Sequence, residues 1–580
     1  MVYIIHFLFL ESREWGVKSK PRVWVFLYLK HRHAFKSMKA IAAINHIPAE
    51  LLSKIFLVCV AVWPSGSEDR YRYLSRSKGP NDFTCGSGLP WIAIAQVCQY
   101  WRYTALGCGE LWRGLLFSSS KATTKMLRRS HGTNLIVKAQ IAESHFDPIL
   151  KRVRLIIPYL SRVSVLHLAL HPSDLQSLLR DLSVAAPNLT SLRLHSRDYY
   201  DGKATSFTLP DIIFAGQTPF LRLLDLTNCK FSWTSLPLNN LAHLELCNAA
   251  RPPTLAQILT FLREVPSLHT FILNEALPIP LLNKRSRNTA IPRLFLPNLR
   301  VITLGGSTDA CTNLLYYLSY PTDTIATFNC QTSPRDNFGH LLYETQCAVA
   351  RGREHQVIRD VGIKTWCSQL MLQCYLVPRS SRSLRASPCD EHPQLNVVLK
   401  RTRYDGPTFK DCMHAAVVNL PFDGVQTLCI EAIDDVNIDW SEFLKLVGET
   451  HTIHFLRRFP PEVVEVMGKD GRKTEEFEQR RPHVLPRLRS MWFEGVDFRM
   501  AFRVHSSGSE GLLKFLRSRI EFSPESAIQE LHLKNCWYLY ECDVDRMKEV
   551  VHKVEWDEVE QEEEEYSETG ADFEGIDDSG

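Results

Sequence analysis

The residues of this 580-residue chain that could do chemistry lie far apart in the sequence. His451 and His454 would share one face of a helix, but no cysteine or carboxylate at zinc-ligand spacing accompanies them. Gly305-Gly306 follows a predicted strand without the other glycines of a dinucleotide-binding loop, which predicts a turn. The sequence has no phosphate loop, HExxH or GxSxG motif. We therefore expect a protein that is not an enzyme, with no catalytic residue, metal or cofactor.

The cysteines indicate a reducing compartment. All 16 are scattered singly, with no CxxC pair and no regular framework. In a chain of this length, that usage predicts reduced and mostly buried thiols in the cytoplasm, the nucleus or both. The first ten residues are apolar but lack a basic stretch and a cleavage site, so we expect no secretory signal. No segment approaches the roughly 18 apolar residues that span a membrane.

The net charge of +4 conceals an asymmetry along the chain. Residues 557–580 hold twelve Asp or Glu and no Lys or Arg, so residues 1–556 carry +16. A basic body suggests nucleic acid as a partner. However, the basic residues are dispersed except for pairs such as Arg457-Arg458 and Arg480-Arg481, which favours a solvated surface.

Short helices are predicted between residues 45 and 117, with an inserted loop at about 60–90 rich in Gly, Ser, Pro and Arg. In the first helix, the apolar residues fall on one face, at Leu51, Leu52, Ile55 and Phe56. A second helix from about Trp91 carries the stripe Ile94, Val97, Cys98, Trp101 and Ala105. Leu111 and Trp112 belong to the segment that closes this region.

A repeated L-x-x-L-x-L strand pattern begins near residue 155, often after Pro-Asn or Pro-Ser. The clearer copies start at Val163, Leu189, Leu221, Leu241, Leu268 and Leu299, and weaker ones at Val425, Leu488 and Ile528. Two of the intervening segments read as capped helices, with capping boxes at Ser173–Gln176 and Thr254–Gln257. The spacing of 20 to 32 residues between the clearer copies fits the leucine-rich period loosely.

The remaining segments interrupt or flank this pattern. Residues 331–420 lose it, which leaves helical insertions or degenerate repeats open, and residues 457–487 predict a charged surface loop. Residues 1–37 are predicted to be an extension that is either disordered or the product of a mis-annotated start. The acidic residues 557–580 are predicted to be a disordered tail.

The segment from Ile47 to Leu116 resembles an F-box. The matches are Ile47, Pro48, Glu50, Leu51, Leu52, Ile55 and Phe56, then Val97, Cys98, Trp101 and Arg102, then Leu111 and Trp112. The departure from the family pattern is the insertion of roughly thirty residues between the first and second helices. The resemblance implies that the adaptor subunit of a cullin–RING ubiquitin ligase binds at Ile47, Pro48, Leu51, Leu52, Ile55, Phe56, Val97, Cys98, Trp101, Leu111 and Trp112.

The repeats at 150–555 resemble the leucine-rich region of F-box-like proteins common in mushroom-forming fungi, as in Leu209 to Cys229 followed by Ser232-Trp233. The expected fold class is α/β: a short helical F-box, then an irregular leucine-rich-repeat solenoid with parallel strands on the concave side and helices outside. The resemblance implies a non-catalytic substrate adaptor of an SCF-type ligase. The alternative is a leucine-rich-repeat scaffold without a ligase role, in which the F-box-like helices cap the array.

The strand pattern also predicts which residues read a protein substrate. In each unit the leucines point into the core and the intervening positions face the concave side. Those positions include Arg193, Asp225, His243, Glu245, Thr270, Thr303 and His532. Cys229 and Cys536 sit where such repeats place Asn or Cys, and are expected to fill the turn and satisfy backbone groups.

Overall fold

The computed structural model describes most of the chain between residues 47 and 561. The described residues are 47–62, 94–140, 148–196, 206–232, 238–278, 293–332, 337–349, 357–366, 369–376, 393–401, 407–432, 438–458, 460, 463, 466–467, 484–501 and 508–561. The predicted extension at 1–37, most of the loop at 60–90, much of 457–487 and the tail from 562 lie outside them. The chain divides into two compact units, one within residues 1–138 and 151–155, the other within 139–150 and 156–580.

Helices and strands alternate along most of the chain. In chain order the helices are α1 (Ala49–Val62), α2 (Gln99–Gly107), α3 (Ser120–Arg129), α4 (Pro148–Val153), α5 (Pro172–Asp181), α6 (Leu255–Glu264), α7 (Thr308–Leu315), α8 (Phe338–Val349), α9 (Phe409–Asn419), α10 (Trp440–Leu446), α11 (Phe498–Ala501), α12 (Gly508–Phe522) and α13 (Glu541–Lys548). Short 3₁₀ turns cover Gly109–Trp112, Arg154–Arg162, Phe214–Gly216 and Pro524–Ser526.

The strands are mostly short, and many have five residues. They are β1 (Gly114–Leu115), β2 (Leu135–Gln140), β3 (Val163–Leu170), β4 (Ser191–Ser196), β5 (Phe207–Thr208), β6 (Leu223–Thr227), β7 (Cys229–Lys230), β8 (His243–Cys247), β9 (Thr270–Asn274), β10 (Leu294–Phe295), β11 (Val301–Ser307), β12 (Leu318–Ser319), β13 (Ile325–Thr332), β14 (Asp360–Trp366), β15 (Gln369–Tyr375), β16 (Leu395–Arg401), β17 (Thr427–Ala432), β18 (Thr452–Leu456), β19 (Ser490–Glu494), β20 (Glu530–Lys534) and β21 (Lys553–Trp556).

The first unit is a small helical module with one parallel strand pair. Helix α1 packs against α2 and against the 3₁₀ turn at Gly109–Trp112, and β1 pairs with β2. Helix α2 begins at Gln99 rather than near Trp91, because the Cys98 sulfur accepts the N–H of Trp101 and caps the helix there. The predicted second helix is therefore shorter than its apolar stripe suggests.

The second unit is built on one long, mostly parallel sheet. Its strands follow the order β3, β4, β6, β8, β9, β11, β13, β16, β15, β14, β17, β18, β19, β20, β21. The predicted α/β class with a parallel sheet and helices is thus present. Separate parallel pairs join β5 to β7 and β10 to β12.

The repeat pattern is interrupted in the middle of this sheet. The sequence left two interpretations of residues 331–420, helical insertions or degenerate repeats. In the structure they supply the end of β13, helices α8 and α9, and strands β14 to β16. Strand β15 runs antiparallel to both of its neighbours, so β14, β15 and β16 form a meander whose spatial order is the reverse of its chain order. The two flanking series of parallel strands continue on either side of it.

The side chains of each strand alternate between two faces. Leucines and phenylalanines at the repeat positions, such as Leu192, Leu194, Leu244 and Phe271, are fully buried on the side of the helices. Helix α5 packs on β3 and β4, and α7 packs on β11 and β13. The face opposite the helices is called the open face below.

A left-handed residue follows several of the five-residue strands. Asn228, Asn248 and Asn535 have φ of 57°, 52° and 49°, and Gly495 has φ of 66° at the equivalent position after β19. Asn tolerates this conformation better than most residues, because its short side chain bonds locally. The turn after the strand therefore recurs through the array, and the N–H of Asn228 bonds the carbonyl of Cys247 at 2.9 Å.

Asparagines just before the strands, two of them in the Pro-Asn pairs at 187–188 and 297–298, join neighbouring repeats. The side-chain amides of Asn188, Asn240 and Asn298 donate to the carbonyls of Ser161, Pro219 and Pro266 at 2.7, 2.9 and 2.9 Å. Each bond reaches back 21 to 32 residues, which is one repeat. These asparagines therefore fix the stacking of one repeat on the next.

Of the two predicted capping boxes, one is confirmed and one is wrong. Thr254 and Gln257 form the box at the start of α6. Helix α5 is instead capped by His171, with Pro172 in its first turn, so Ser173 lies inside the helix. Gln176 accepts the backbone N–H of Thr208 at 2.8 Å rather than completing a box. Proline favours the first helical position, so Pro172 places the start of the helix two residues nearer the N-terminus than predicted.

The first residues of the predicted acidic tail are ordered against the last repeat. A carboxylate oxygen of Asp557 accepts the N–H of Asn535 at 2.6 Å, and a carboxylate oxygen of Glu560 accepts the N–H of Glu541 at 2.9 Å. Within the described residues, no helix is both long and apolar enough to cross a membrane.

Candidate functional site

The helical module turns one set of its apolar side chains inward. Leu52 and Phe56 on α1 are 0% and 1% exposed, and the Phe56 ring lies 5.2 Å from the Trp101 ring of α2. The hydroxyl of Tyr100 donates to the carbonyl of Ile47 at 2.6 Å, which ties α2 to the start of α1. These contacts make the two helices one folded body.

The closing Leu-Trp segment completes the same core. Leu111 and Trp112 are buried, and the indole N–H of Trp112 donates to the carbonyl of Ala105 at 2.9 Å. The Arg129 guanidinium of α3 lies 4.4 Å from the Trp112 ring, a cation–π contact. Leu52, Phe56, Leu111 and Trp112 thus support the module from within.

A second set of apolar side chains points outward from the same helices. Leu51 and Val58 are 52% and 61% exposed, and Ile55 between them is half-buried. Positions 51, 55 and 58 lie on one side of an α-helix, so α1 carries an outward apolar row beside its core row, roughly 100° further round the helix. Val97 is also 45% exposed. Of the other predicted adaptor residues, Pro48 is exposed and Ile47, Cys98 and Trp101 are half-buried.

Sequence reasoning merged these two rows and missed part of the outer one. Val58 on α1 was not among the predicted adaptor residues, and neither was Tyr103 on α2, which is 72% exposed. Val58 lies seven positions after Leu51, which is a same-side spacing that the sequence contains. Nothing in the spacing alone separates the core row of Leu52 and Phe56 from the outer row, since α1 is apolar on both sides.

The second candidate surface is the open face of the sheet. One row of cross-strand neighbours runs through it from β3 to β16, at His167, Arg193, Asp225, Glu245, Ile272, Thr303, Thr327 and Asn396. The same row continues from β15 to β21, at Gln373, Gly362, Cys429, His454, Trp492, His532 and Glu555. It contains the predicted substrate residues Arg193, Asp225, Glu245, Thr303 and His532.

His243 and Thr270, the other two predicted substrate residues, pair with each other in the adjacent open-face row. The structure therefore brings all seven onto one face. It does not gather them into one place, because His532 lies many strands away from Arg193.

The charged residues on β4, β6 and β8 form two neighbouring ion-paired groups. Asp225 is 4% exposed, with one carboxylate oxygen 2.8 Å from His195 Nε2 and the other 3.6 Å from Arg193 Nε. Glu245 lies 3.4 Å from His243 Nε2. Sequence reasoning missed His195, although it lies two positions after Arg193 on the same side of β4.

The pKa of Glu245 is lowered by these neighbours. Burial alone would raise it, but the hydrogen bond from His243 and the charges of His243, His195 and Arg193 together outweigh burial. The carboxylate is therefore already satisfied inside the cluster. This arrangement organises the open face at its N-terminal end.

A stack of rings occupies the other end of the open face. The rings of His454 and Trp492 are 5.1 Å apart, and those of Trp492 and His532 are 3.6 Å apart, all nearly parallel. The carboxylate of Glu555 lies 2.9 Å from His532 Nδ1. His451 and His454, which would share a helical face, instead lie at β18, where residues three apart point to opposite sides.

The buried cysteines have the properties of structural residues. Burial raises the pKa of both Cys229 and Cys536 to about 12, so each thiol stays protonated near pH 7. The Cys536 thiol contacts the carbonyl of Phe493 at 3.6 Å, and that of Cys229 contacts the carbonyl of Lys230 at 3.4 Å. Both thus fill the turn after a strand, beside Asn228 and Asn535.

Among the described residues, no cluster of three or more His, Cys, Asp or Glu side chains has the arrangement of a metal site. The site that the geometry offers is therefore a pair of surfaces, the outer row of α1 and the open face. In comparisons with known proteins, the chain matches no protein-family model and no curated protein.

Proposed function

We propose that this protein is a non-catalytic substrate adaptor of an SCF-type cullin–RING ubiquitin ligase. In this proposal the helical module docks the adaptor subunit of the ligase, and the repeat sheet holds a protein substrate. The resemblance of residues 47–116 to an F-box supports the first part.

The observation that carries the proposal is the two-sided character of α1. A helix that is apolar all round is normally buried on all sides. Here the inner row, Leu52 and Phe56, is covered, whereas Leu51 and Val58 of the outer row remain more than half exposed. Contiguous exposed apolar side chains on a helix favour docking into a partner's groove.

The open face supports the second part of the proposal. A parallel sheet with helices on one side presents an extended, rigid row of polar and aromatic side chains on the other. Such a surface suits the recognition of a protein or peptide. A small apolar ligand needs an enclosed cavity instead.

The test is co-purification of the full-length protein with the ligase adaptor subunit after co-expression. We expect the wild-type chain to retain the adaptor, and the double substitution Leu51→Asp with Val58→Asp to lose it without a change in melting temperature. Val418→Asp, at a 67% exposed valine on α9, is the matched control and should retain the adaptor. Retention by the double variant would place docking elsewhere.

A repeat scaffold without a ligase role is the second candidate. It is favoured by the burial of Leu52, Phe56, Leu111 and Trp112, which are among the predicted docking residues. A purely structural module needs no partner, so this candidate predicts no co-purification of wild-type protein with the adaptor subunit under any condition.

A further inference from the structure

The middle of the open face projects beyond its flanks. Strands β11, β14, β15 and β16 have seven residues and β13 has eight, whereas β6, β8, β9, β18, β19 and β20 have five. At about 3.3 Å per residue, the longer strands extend the sheet by about 7 Å at one edge. The extended part of the sheet includes the meander of β14, β15 and β16.

An exposed tryptophan stands at the end of this projection. Trp366, the last residue of β14, is 61% exposed. The adjacent Thr365 is 2% exposed and the preceding Ile363 is 1% exposed, so both point into the core. Alternation along the strand therefore places Trp366 on the open face, with Lys364 on the same side. Tryptophan is one of the residues that dominate the energy of protein interfaces.

Cationic side chains lie on the strands near this tryptophan. Trp366 pairs with Gln369 of β15, which pairs in turn with Lys400 of β16, so Lys400 lies two strands, or about 10 Å, away. Lys400 is exposed and has no ion pair within the described part of the chain. Lys364, Trp366, Gln369, Lys400 and Arg457 are called the basic ledge below.

One carboxylate balances part of this charge. Glu431 of β17 lies 3.1 Å from Lys364 Nζ and 3.2 Å from Arg457 Nε, so it is held between two cations. The side chain of Arg457 nevertheless remains 69% exposed. Among the described residues named here, three cations and one carboxylate leave an excess of two positive charges beside an exposed indole.

We infer that the basic ledge binds an acidic peptide segment, with an apolar side chain against Trp366 and carboxylate or phosphate groups on Lys400 and Arg457. Arginine forms paired hydrogen bonds with planar anions, and lysine acts as a compact positive charge. This inference rests on the proposed function, because it identifies the class of substrate that the repeat sheet would carry.

The experiment pans a phage-displayed library of random twelve-residue peptides against the full-length protein. We expect the recovered peptides to be enriched in Asp and Glu next to Leu, Phe or Met. They should bind at least tenfold more weakly to Trp366→Ala and to Lys400→Glu with Arg457→Glu. Affinity should also fall as salt is raised, since exposed charges are screened.

Matched controls lie on the helical side of the same unit. Tyr343→Ala removes a 52% exposed aromatic ring from α8, and Arg263→Glu reverses an exposed charge at the end of α6. Both should bind the recovered peptides as the wild type does. Resynthesis with phosphoserine in place of each acidic residue decides whether carboxylate or phosphate is preferred.

Several results would overturn the inference. These are recovery of basic peptides, recovery of no peptide, binding that the ledge variants leave unchanged, or stronger binding of a twelve-nucleotide single-stranded RNA than of any peptide. Adaptor co-purification of the Lys400→Glu with Arg457→Glu variant is measured separately. If this variant loses the peptide but keeps the adaptor, the inference about the ledge is supported independently of adaptor docking. If the wild-type protein binds the peptide but no adaptor, the ligase proposal fails and the inference about the ledge stands.

Discussion

Asp225 gives the most discriminating test of how the open face is organised. Its side chain is 6% exposed, whereas those of its partners Arg193 and His195 are 26% and 24% exposed. Removal of Arg193 leaves a buried charge with one partner. Replacement of Asp225 by Asn leaves Arg193 and His195 without a carboxylate partner, but water reaches both side chains. We therefore expect Arg193→Ala to destabilise the protein more than Asp225→Asn.

The magnitudes follow from this asymmetry. Removing one partner of a fully buried pair costs about 3–5 kcal/mol. Because the partners here are about a quarter exposed, we expect about 2–3 kcal/mol for Arg193→Ala and about 1 kcal/mol for Asp225→Asn. Once Asp225 is neutral, the loss of Arg193 matters less, so the double variant should cost about 1 kcal/mol less than the sum.

The assay is urea unfolding of the four proteins in a double-mutant cycle, with adaptor co-purification as the control for the helical module. The reasoning would be refuted if Asp225→Asn destabilised the protein more than Arg193→Ala. It would also be refuted if the two destabilisations were additive to within about 0.3 kcal/mol. The prediction bears on function, because it makes Asp225 an organiser of the face. Loss of substrate on its reversal would then report a damaged sheet.

Three further predictions concern individual side chains. Leu52→Ala should lower the free energy of unfolding by about 2–5 kcal/mol, because Leu52 is fully buried. Leu51→Ala should leave the melting temperature unchanged, because Leu51 is more than half exposed. Equal effects of the two substitutions in thermal unfolding would contradict the division of α1 into a core row and an outer row. Arg519 is fully buried and donates to the carbonyls of Ser526 and Leu485 at 2.8 and 3.0 Å. Arg519→Met should therefore lower the free energy of unfolding, measured in urea, by about 3 kcal/mol. A decrease below about 1 kcal/mol would show that water replaces the guanidinium. The lowered pKa of Glu245 contributes stability that is present above its unfolded value, near 4.5, and is lost as the pH falls through the lower folded value. Glu245→Gln should therefore flatten the acid limb of the stability profile below the unfolded value. An unchanged limb in acid unfolding would contradict the assignment.

The sequence predicted the repeat strands because their signal is local. The copies starting at Val163, Leu189, Leu241 and Leu268 all lie at strands, since a leucine buried at every second position is what one face of a sheet requires. The capping box of Thr254 and Gln257 was predictable for the same reason, because its partners are three residues apart.

Predictions that depended on distant partners fared differently. Gln176 was free to cap its own helix, but it bonds the backbone of Thr208, 32 residues away. The meander of β14, β15 and β16 has no repeat signal, because its antiparallel pairing is decided by neighbours on both sides of the sheet. The basic ledge likewise exists only because register brings Trp366 and Lys400 together from separate strands.

The sequence by itself determined that this chain has leucine-rich strands and an apolar helix that carries Leu51, Leu52, Ile55 and Phe56, since periodicity and residue type are properties of the chain. Only the tertiary structure decided which side of that helix is core and which remains open, because both sides are apolar and burial depends on what packs against them. Because side chains alternate along a strand, the sequence also predicted that Arg193, Asp225 and Glu245 lie on one face. The ion pair between Arg193 and Asp225 was set by a cross-strand distance that no spacing along the chain contains.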